Sequence, residues 1–362
     1  MDPTKLRNES MTTIESINLK SAIGITTLMS MKDVGPVTVS KILARYEDFS
    51  GLLSASAEDL KPIMNEKQRR RIQDEPESLQ SAFDHALRQA DSAAEYDVRM
   101  LSVFDEAYPQ RLRDDPSPPM VIFVGGDLAE LEASVAFVGT RNPSEWGRAA
   151  ADAMSGAMAS AGWRVISGLA HGIDAASHRA CLEAGTPTAA VIASGIDMID
   201  PDRDRDRFSF LERILDNGGL VITEQQFGVP ASDNTYIRRN RIITGLSLAT
   251  FFVQGEMQGG SMHSVKYALQ QGREVYVPAI SAVQARDPLN HAASNLGRLS
   301  PQDLVLLMDL QKGNLRAVLE TMDTQTVANA VYGSKDYPRV LQELEDMLSA
   351  RYAGAIDLKM AS

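Results

Sequence analysis

The sequence holds a single cysteine, Cys181, in 362 residues. No disulfide can form within the chain, and this sparing use of thiols fits a reducing compartment. Aromatic residues are scarce at 6%. No apolar run approaches the roughly 20 residues that a membrane-spanning helix needs. The N-terminal "MDPTKLRNESMTT" lacks the basic start and apolar core of a signal peptide. The expectation is a soluble, cytoplasmic protein with no membrane contact. Positive charge is in short supply too: 36 Lys+Arg against 48 Asp+Glu leaves a formal net charge of −12. That balance argues against the broad basic face of a duplex-coating protein. Any nucleic-acid contact has to come from a local basic groove inside an acidic shell. Solubility alone accounts for the net charge equally well.

What is present is ordinary globular composition, 44% hydrophobic and 23% charged, with enough length for one large domain and one or two small ones. Residues 1–93 read as helical, with short apolar periods (Leu28, Ile42, Leu43, Leu52, Leu53) and a glycine turn in "KDVGPVTVSKILARY" feeding an amphipathic helix. That is the shape of a SAM or helix-hairpin-helix module, whose turn amides can face a phosphate; a plain helical packing unit is the competing reading. Residues 94–285 alternate apolar strands ("SVAFVGT", "WRVISG", "PTAAVIAS", "GLVITE", "LATFFVQG", "EVYVPA") with helices. Continuous apolar strands between helices specify a parallel sheet covered on both faces, an extended Rossmann-like, doubly wound α/β domain. Asp174 stands where an N-cap is wanted, and Gly185 and Gly272 where helices stop. Residues 286–309 read as a linker. Residues 310–362 read as a small C-terminal domain of three short helices with a β wing at "YAGAIDL".

In such a domain, ligands gather in the loops at the carboxyl ends of the strands. Those loops are Gly139-Thr140-Arg141-Asn142, Ser167-Gly168 with the following "LAHGID", Ser194-Gly195-Ile196-Asp197, Tyr236-Ile237-Arg238-Arg239-Asn240-Arg241, and Gln258-Gly259-Gly260-Ser261. A dinucleotide site needs G-x-G-x-x-G at the first turn and an acid at the end of the second strand. "GTRNPSEWG" supplies only the first glycine, and the second strand ends in Ser167-Gly168, so neither NAD nor FAD is expected. An arginine beside free helix amides suits a phosphodiester, with Arg141 as a forked donor. The cluster Arg238-Arg239-Asn240-Arg241 reads either as a set of phosphate contacts on a helix start or as a solvated, ion-paired one. Tyr236 beside it can stack a base or pack at the core edge.

The alternating "DPDRDRDRF" at 200–208 reads as a self-compensating turn, although Arg203 or Arg205 could reach a phosphate. Asp174 and His178 have the i,i+4 spacing of metal ligands, but no third ligand lies nearby, and a capping Asp with a hydrogen-bonded His is the better reading. No G-x-S-x-G elbow is present and Cys181 has no evident base. The sequence therefore predicts no nucleophile, no metal and no cofactor, and a protein that is not an enzyme.

Together these loops resemble the DNA-processing protein A family (DprA, also called Smf). The matching stretches are "DEAYPQRLRDDPSPPMVIFVGGDL", "VAFVGTRNPSEWG", "VISGLAHGIDAASHRACLEAG", "IRRNRIITGLSLATFFVQ" and "GGSMHSVKYALQQGREVYVPA", in the family's order over about half the chain. The resemblance implies a Rossmann-like domain that binds single-stranded DNA, forms a homodimer and brings the RecA recombinase to strands during natural transformation. It also implies a SAM-like module before that domain and a degenerate winged helix after it. The family's G-S/T-R turn falls on Arg141, its R-N-R on Arg239, Asn240 and Arg241, and its glycine-serine turn on Gly260 and Ser261. The chain departs from the family at Asp200-Pro201, where Tyr-Pro is usual, at Tyr236-Ile237, where Phe-Pro is usual, and in the acidic "LQELEDML" near its end, which suits a protein contact better than a DNA one.

Two other functions remain open at this stage. One is a DNA-sensing regulatory or phage-defence protein acting through a protein partner. The other is a nucleotide phosphoribohydrolase of the lysine-decarboxylase-like family, although "GGSMHSVK" lacks the carboxylate such an enzyme needs for acid–base work.

Overall fold

The computed structural model describes residues 12–128, 131–199, 205–303, 322 and 324–360. Residues 200–204 of the alternating run, Arg203 among them, and the side chains of 205–208 lie outside the described residues, as does 304–321 of the linker and C-terminal segment. The chain divides into two units. The first comprises Met1–Tyr108, Pro118–Gly125 and Glu224–Val229, and the second Pro109–Ser117, Gly126–Thr223 and Pro230–Ser362.

The first unit is built on α1 (Ala22–Ser30), α2 (Pro36–Leu43), α3 (Glu66–Gln73) and α4 (Pro76–Glu95). Local chemistry sets their ends. Ser21 caps α1 through Gly24 N–H at 3.0 Å. Pro36 opens α2, where its missing N–H costs nothing. Asn65 and Gln68 form a reciprocal capping box on α3. The apolar periods converge as expected: Leu28, Ile42, Leu43 and Leu52 join Ile25, Leu79 and Phe83 in one core. In the turn read as a glycine turn, the left-handed residue is Asp33 (φ 70°), while Gly35 is extended and caps α2. An aspartate tolerates this conformation because its short polar side chain bonds locally. The unit closes with an antiparallel pair, β1 (Val98–Ser102) and β2 (Val121–Gly126).

The second unit is the α/β domain the alternation predicts. Its strands are β3 (Ser134–Val138), β4 (Arg164–Ser167), β5 (Thr188–Val191), β6 (Leu220–Thr223), β7 (Ala249–Phe252), β8 (Glu274–Pro278) and β9 (Asn329–Val331). They are parallel and lie in the order β6-β5-β4-β3-β7-β8-β9. The interposed helices are α5 (Glu145–Ser160), α6 (Ile173–Glu183), α7 (Arg205–Asp216), α8 (Asp233–Leu246) and α9 (Met262–Gln270). Strands β3 to β7 are buried along their whole length, which is why their sequences read as unbroken apolar runs. Phe137, Phe251 and Tyr276 stack across β3, β7 and β8 at centroid distances of 4.7 and 5.0 Å.

This order has a consequence for ligands. The chain leaves β3 toward β4, β5 and β6, then returns to the other side of β3 as β7, β8 and β9. Helices depart in opposite senses from the carboxyl ends of β3 and β7, and a crevice opens there.

The end of the chain differs from expectation. Among the described residues, 329–331 add β9 to the sheet, and α10 (Tyr337–Met360) lays Val340 and Leu344 into the same core as Met154 and Trp163. Residues 352–358, read as a β wing, continue that helix. "YAGAIDL" contains two alanines and a leucine, good helix formers that follow an established helix with only Gly354 to interrupt.

Candidate nucleic-acid interface

The carboxyl end of β3 runs straight into Gly139-Thr140-Arg141. Thr140 N–H donates to Gln254 O (2.8 Å), and Thr140 O accepts from Ile173 N–H (3.2 Å) at the start of α6. Asn142 is exposed, its N–H turned back onto Thr140 Oγ1 at 3.2 Å. The Gln254 side chain is fully buried at the hub of this turn. Its Nε2 donates to Ser144 Oγ and Asn290 Oδ1, both at 2.8 Å, and reaches Asp287 Oδ2 at 3.3 Å. Its Oε1 accepts from Ser144 N–H at 2.9 Å. Ser144 in turn caps α5. The loop that presents Arg141 is therefore braced by Gln254 at both ends, at Thr140 through its backbone carbonyl and at Ser144 through its side-chain amide.

The second loop is shaped by close approach. Gly172 sits at φ 82°, and a Cβ there would overlap the backbone of Thr140 and Arg141. A Cβ on Gly168 would run into the Arg239 guanidinium. Ser167 is buried, its hydroxyl donating to Phe137 O at 2.6 Å. Asp174, expected to cap α6, lies inside that helix instead; Gly172 is the N-cap. The Asp174 carboxylate accepts from Gly168 N–H (3.2 Å) and Ala170 N–H (3.3 Å), so it ties down the loop before the helix. Burial holds this carboxyl above its ordinary pKa, an effect that Arg239 and the N–H donors partly offset.

The third contribution comes from α8. The cluster 238–241 was read as a helix start, but the helix begins at Asp233, where Ser232 and Thr235 form a reciprocal capping box. The cluster is thus spread around a full helical turn, and its members face different ways. Tyr236, Arg239, Asn240 and Ile243, at i, i+3, i+4 and i+7, share the face that lines the crevice. Arg238 falls on the opposite face and is exposed. Arg241 is buried, and its carbonyl accepts from Gln271 Nε2 at 2.9 Å, away from the crevice. Arg239 is only 4% exposed; its Nη1 donates to Gly168 O and Val191 O, tying the helix to the ends of β4 and β5.

What results is an open cavity of about 610 Å³. Of the residues picked from the sequence, Gly139, Thr140, Arg141, Tyr236, Arg239, Asn240, Gly260 and Ser261 line it; Asn142, Ser167, Gly168, Arg238 and Arg241 do not. The exposed Arg141 guanidinium lies over the Tyr236 ring at 4.7 Å from its centroid. Sequence reasoning placed Asp174 in the second loop only as a cap and missed Asp233 and Glu256; all three acids line the same cavity. It also missed Gln254, whose role depends on partners distant in the chain and leaves no local signal.

The i,i+4 pair Asp174 and His178 does not form a shared site. Thr188 Oγ1 donates to Val165 O (2.7 Å) and accepts from His178 Nδ1–H (2.8 Å). Burial pushes the His178 imidazole down to about 3, so it stays neutral. Among the described residues no group of three or more His, Cys, Asp or Glu is placed to hold a metal ion. Cys181 is buried, which raises its thiol to about 12. Among the described residues no helix is long and apolar enough to cross a membrane.

Known proteins are similar to this chain in sequence and in fold. The family model described as DNA recombination-mediator protein A matches residues 99–297. The chain is similar to Protein Smf of Synechocystis sp. (35% identical over 183 residues, 49% of this chain and 45% of the relative). It is similar to DNA processing protein DprA of Bacillus subtilis (33% over 184 residues, 50% and 61%) and to Protein Smf of Escherichia coli (34% over 172 residues, 47% and 45%). The alignments thus span about half the length of these curated relatives. The fold is similar to that of the solved DNA processing protein A of Streptococcus pneumoniae, with a TM-score of 0.58 at 23% identity over 87% of this chain and 96% of that one. With the ordered motifs, the switch-point crevice and a family match over more than half its length, the chain belongs to the DNA recombination-mediator protein A (DprA/Smf) family.

Proposed function

We propose that the chain binds single-stranded DNA, without sequence preference, in the crevice at the carboxyl ends of β3 and β7. The observation that carries this reading is the pairing of an exposed, unburdened guanidinium with an aromatic face, Arg141 over Tyr236, at the mouth of the cavity. A flat aromatic offers a stacking surface to any unpaired base, and the arginine fork suits a phosphodiester. Duplex DNA hides its base faces and wants a broad cationic surface, which an acidic protein with three carboxylates in the cavity does not offer. Arg239 acts one layer deeper. It sets the positive potential and positions Gly168, rather than gripping a phosphate.

The same reading extends, on family membership, to a non-catalytic protein that works as a homodimer and hands strands to the RecA recombinase. In it the helical segment 1–93 and the C-terminal residues 310–362 are accessory parts around the 94–285 binding domain. Fluorescence anisotropy with a labelled single strand and its duplex, over a salt series, tests the binding. The expectation is a preference for the single strand, affinity falling steeply with salt, and weakening by Arg141→Ala with the fold intact. Equal affinity for both forms, or an unaffected Arg141→Ala protein, removes the assignment. Because carboxylates line the cavity, release of free base from nucleoside monophosphates is assayed beside it; turnover there would revive the hydrolase reading.

A further inference from the structure

The helical unit carries a polar cavity of its own, about 540 Å³, formed wholly by residues of that unit. Lys32 enters it from the turn after α1. Ser78, Ser81, His85 and Arg88 enter from α4, at spacings that share one helical face. Gln226 closes it, with Oε1 2.8 Å from His85 Nε2. Among the described residues no Asp or Glu lines this cavity, although acids outnumber bases 48 to 36 in the chain and three line the crevice of the sheet unit. Of the neighbouring acids, Asp33 is taken by Lys67 (3.0 Å) and Arg71 (3.4 Å), and Asp84, which accepts from Gln80 Nε2 (2.9 Å), lines with Glu77 an adjoining cavity that Arg88 also borders. Two cations and an imidazole therefore converge on one space with no anion among its lining residues.

Lys32, Ser81 and Arg88 are exposed, so their donors stand open to an anion in solution. Arg88 offers a fork, Lys32 a point charge, and the two serine hydroxyls neutral donors, which together suit the several oxygens of a phosphate.

We propose that this cavity is an oxyanion site of the helical unit, taking a phosphate group held by Lys32 and Arg88 with Ser78 and Ser81 as hydrogen-bond donors, beside a His85 ring whose Nε2–H is given to Gln226 Oε1. The phosphate comes either free, as inorganic phosphate, or as a phosphodiester of a nucleic-acid strand. The proposal stands apart from the reading of the sheet crevice, and the test keeps them separate. Full-length protein carrying Arg141→Ala, which weakens the crevice, is labelled with ¹⁵N-histidine, and the His85 ring signals are identified by their loss in His85→Gln. Inorganic phosphate and a short single-stranded oligonucleotide are then titrated separately. The expected result is a saturable shift of the His85 signals, weakened at least tenfold in a Lys32→Ala/Arg88→Ala protein whose circular dichroism is unchanged. A shift at lower concentration with the oligonucleotide identifies a strand as the source; a shift with phosphate alone identifies the free ion. No shift with either, or an equal shift in the double variant, overturns the proposal. Weakened oligonucleotide binding on Arg141→Ala alone belongs to the crevice, so the two readings can fail independently.

Discussion

The two ends of the parallel sheet use arginine in opposite ways. At the amino end, Arg111 is 2% exposed and spends its guanidinium on the protein itself. Nη1 donates to Leu246 O (3.1 Å), Ser134 Oγ (3.3 Å) and Leu131 O (3.4 Å), and Nη2 to Glu132 O (2.7 Å) and Oε2 (3.1 Å). Burial lowers its pKa to about 10, still far above neutrality, so the charge is kept. At the carboxyl end, Arg239 is consumed in the same manner, but Arg141 meets only an aromatic ring in the contacts described above and stays exposed. The difference separates arginines that build the domain from the one that can act outward. Sequence alone does not make that distinction: Arg111 and Arg239 sit in short basic stretches and Arg141 stands alone in its turn, but neither setting says which guanidinium is buried.

The largest expected effect breaks the closed end. Arg111→Met strips the guanidinium from Glu132 O and leaves Leu131 O and Leu246 O to share the single Ser134 hydroxyl, and should cost about 3–5 kcal/mol, read from urea unfolding. A loss below about 1 kcal/mol would mean that the guanidinium is not a structural tie. Next comes acid. His178 titrates at about 3 when folded against about 6.5 unfolded, so between those values the unfolded chain binds more protons. Its contribution is intact above pH 6.5 and is lost on acidification, by about a kcal/mol per pH unit down to pH 3. A His178→Gln protein should show a flatter stability–pH curve over that window; an unchanged slope rules out His178 as the origin.

The open end is probed by smaller changes. Arg141→Ala should weaken single-strand binding severalfold to tenfold and reduce the slope of log affinity against log salt by about 1, while unfolding stability moves by less than about 0.5 kcal/mol. An unchanged slope would show that Arg141 does not reach a phosphate. Smallest is a change within the ring: Tyr236→Phe should retain binding, whereas Tyr236→Ala should lose about 1–3 kcal/mol of it, as much as Arg141→Ala or more. If Phe fails as badly as Ala, the hydroxyl matters and stacking is the wrong account.

Much of the fold was legible because strands β3 to β7 are buried on both faces, which leaves an unbroken apolar signature. Gly185 and Gly272 also stop their helices with φ of 66° and 65°, as their positions imply. The segment after 324 was not legible as part of the sheet. β9 is only three residues long, and its pairing with β8 depends on a contact some fifty residues away. Within the crevice, the residues on the strand-following turns (Gly139 to Arg141, Gly260, Ser261) were found because topology fixes where such turns point. The cluster 238–241 was harder. Its composition promised a block of positive charge, but a helix rotates successive residues by about 100°, so one arginine faces the crevice, one faces solvent and one is buried elsewhere. Locating the helix start three residues before Tyr236, from Ser232 and Thr235, would have given that phase in advance.

The Gln254 amide has a thermodynamic corollary. With its oxygen and nitrogen both engaged by groups drawn from two other parts of the chain, Ser144 and Asn290, it leaves the turn around Arg141 little room to rearrange. A guest then surrenders its own torsional freedom on arrival while the host surrenders almost none. Association should therefore resemble docking to a finished surface, with a rate limited by encounter rather than by refolding of the receptor.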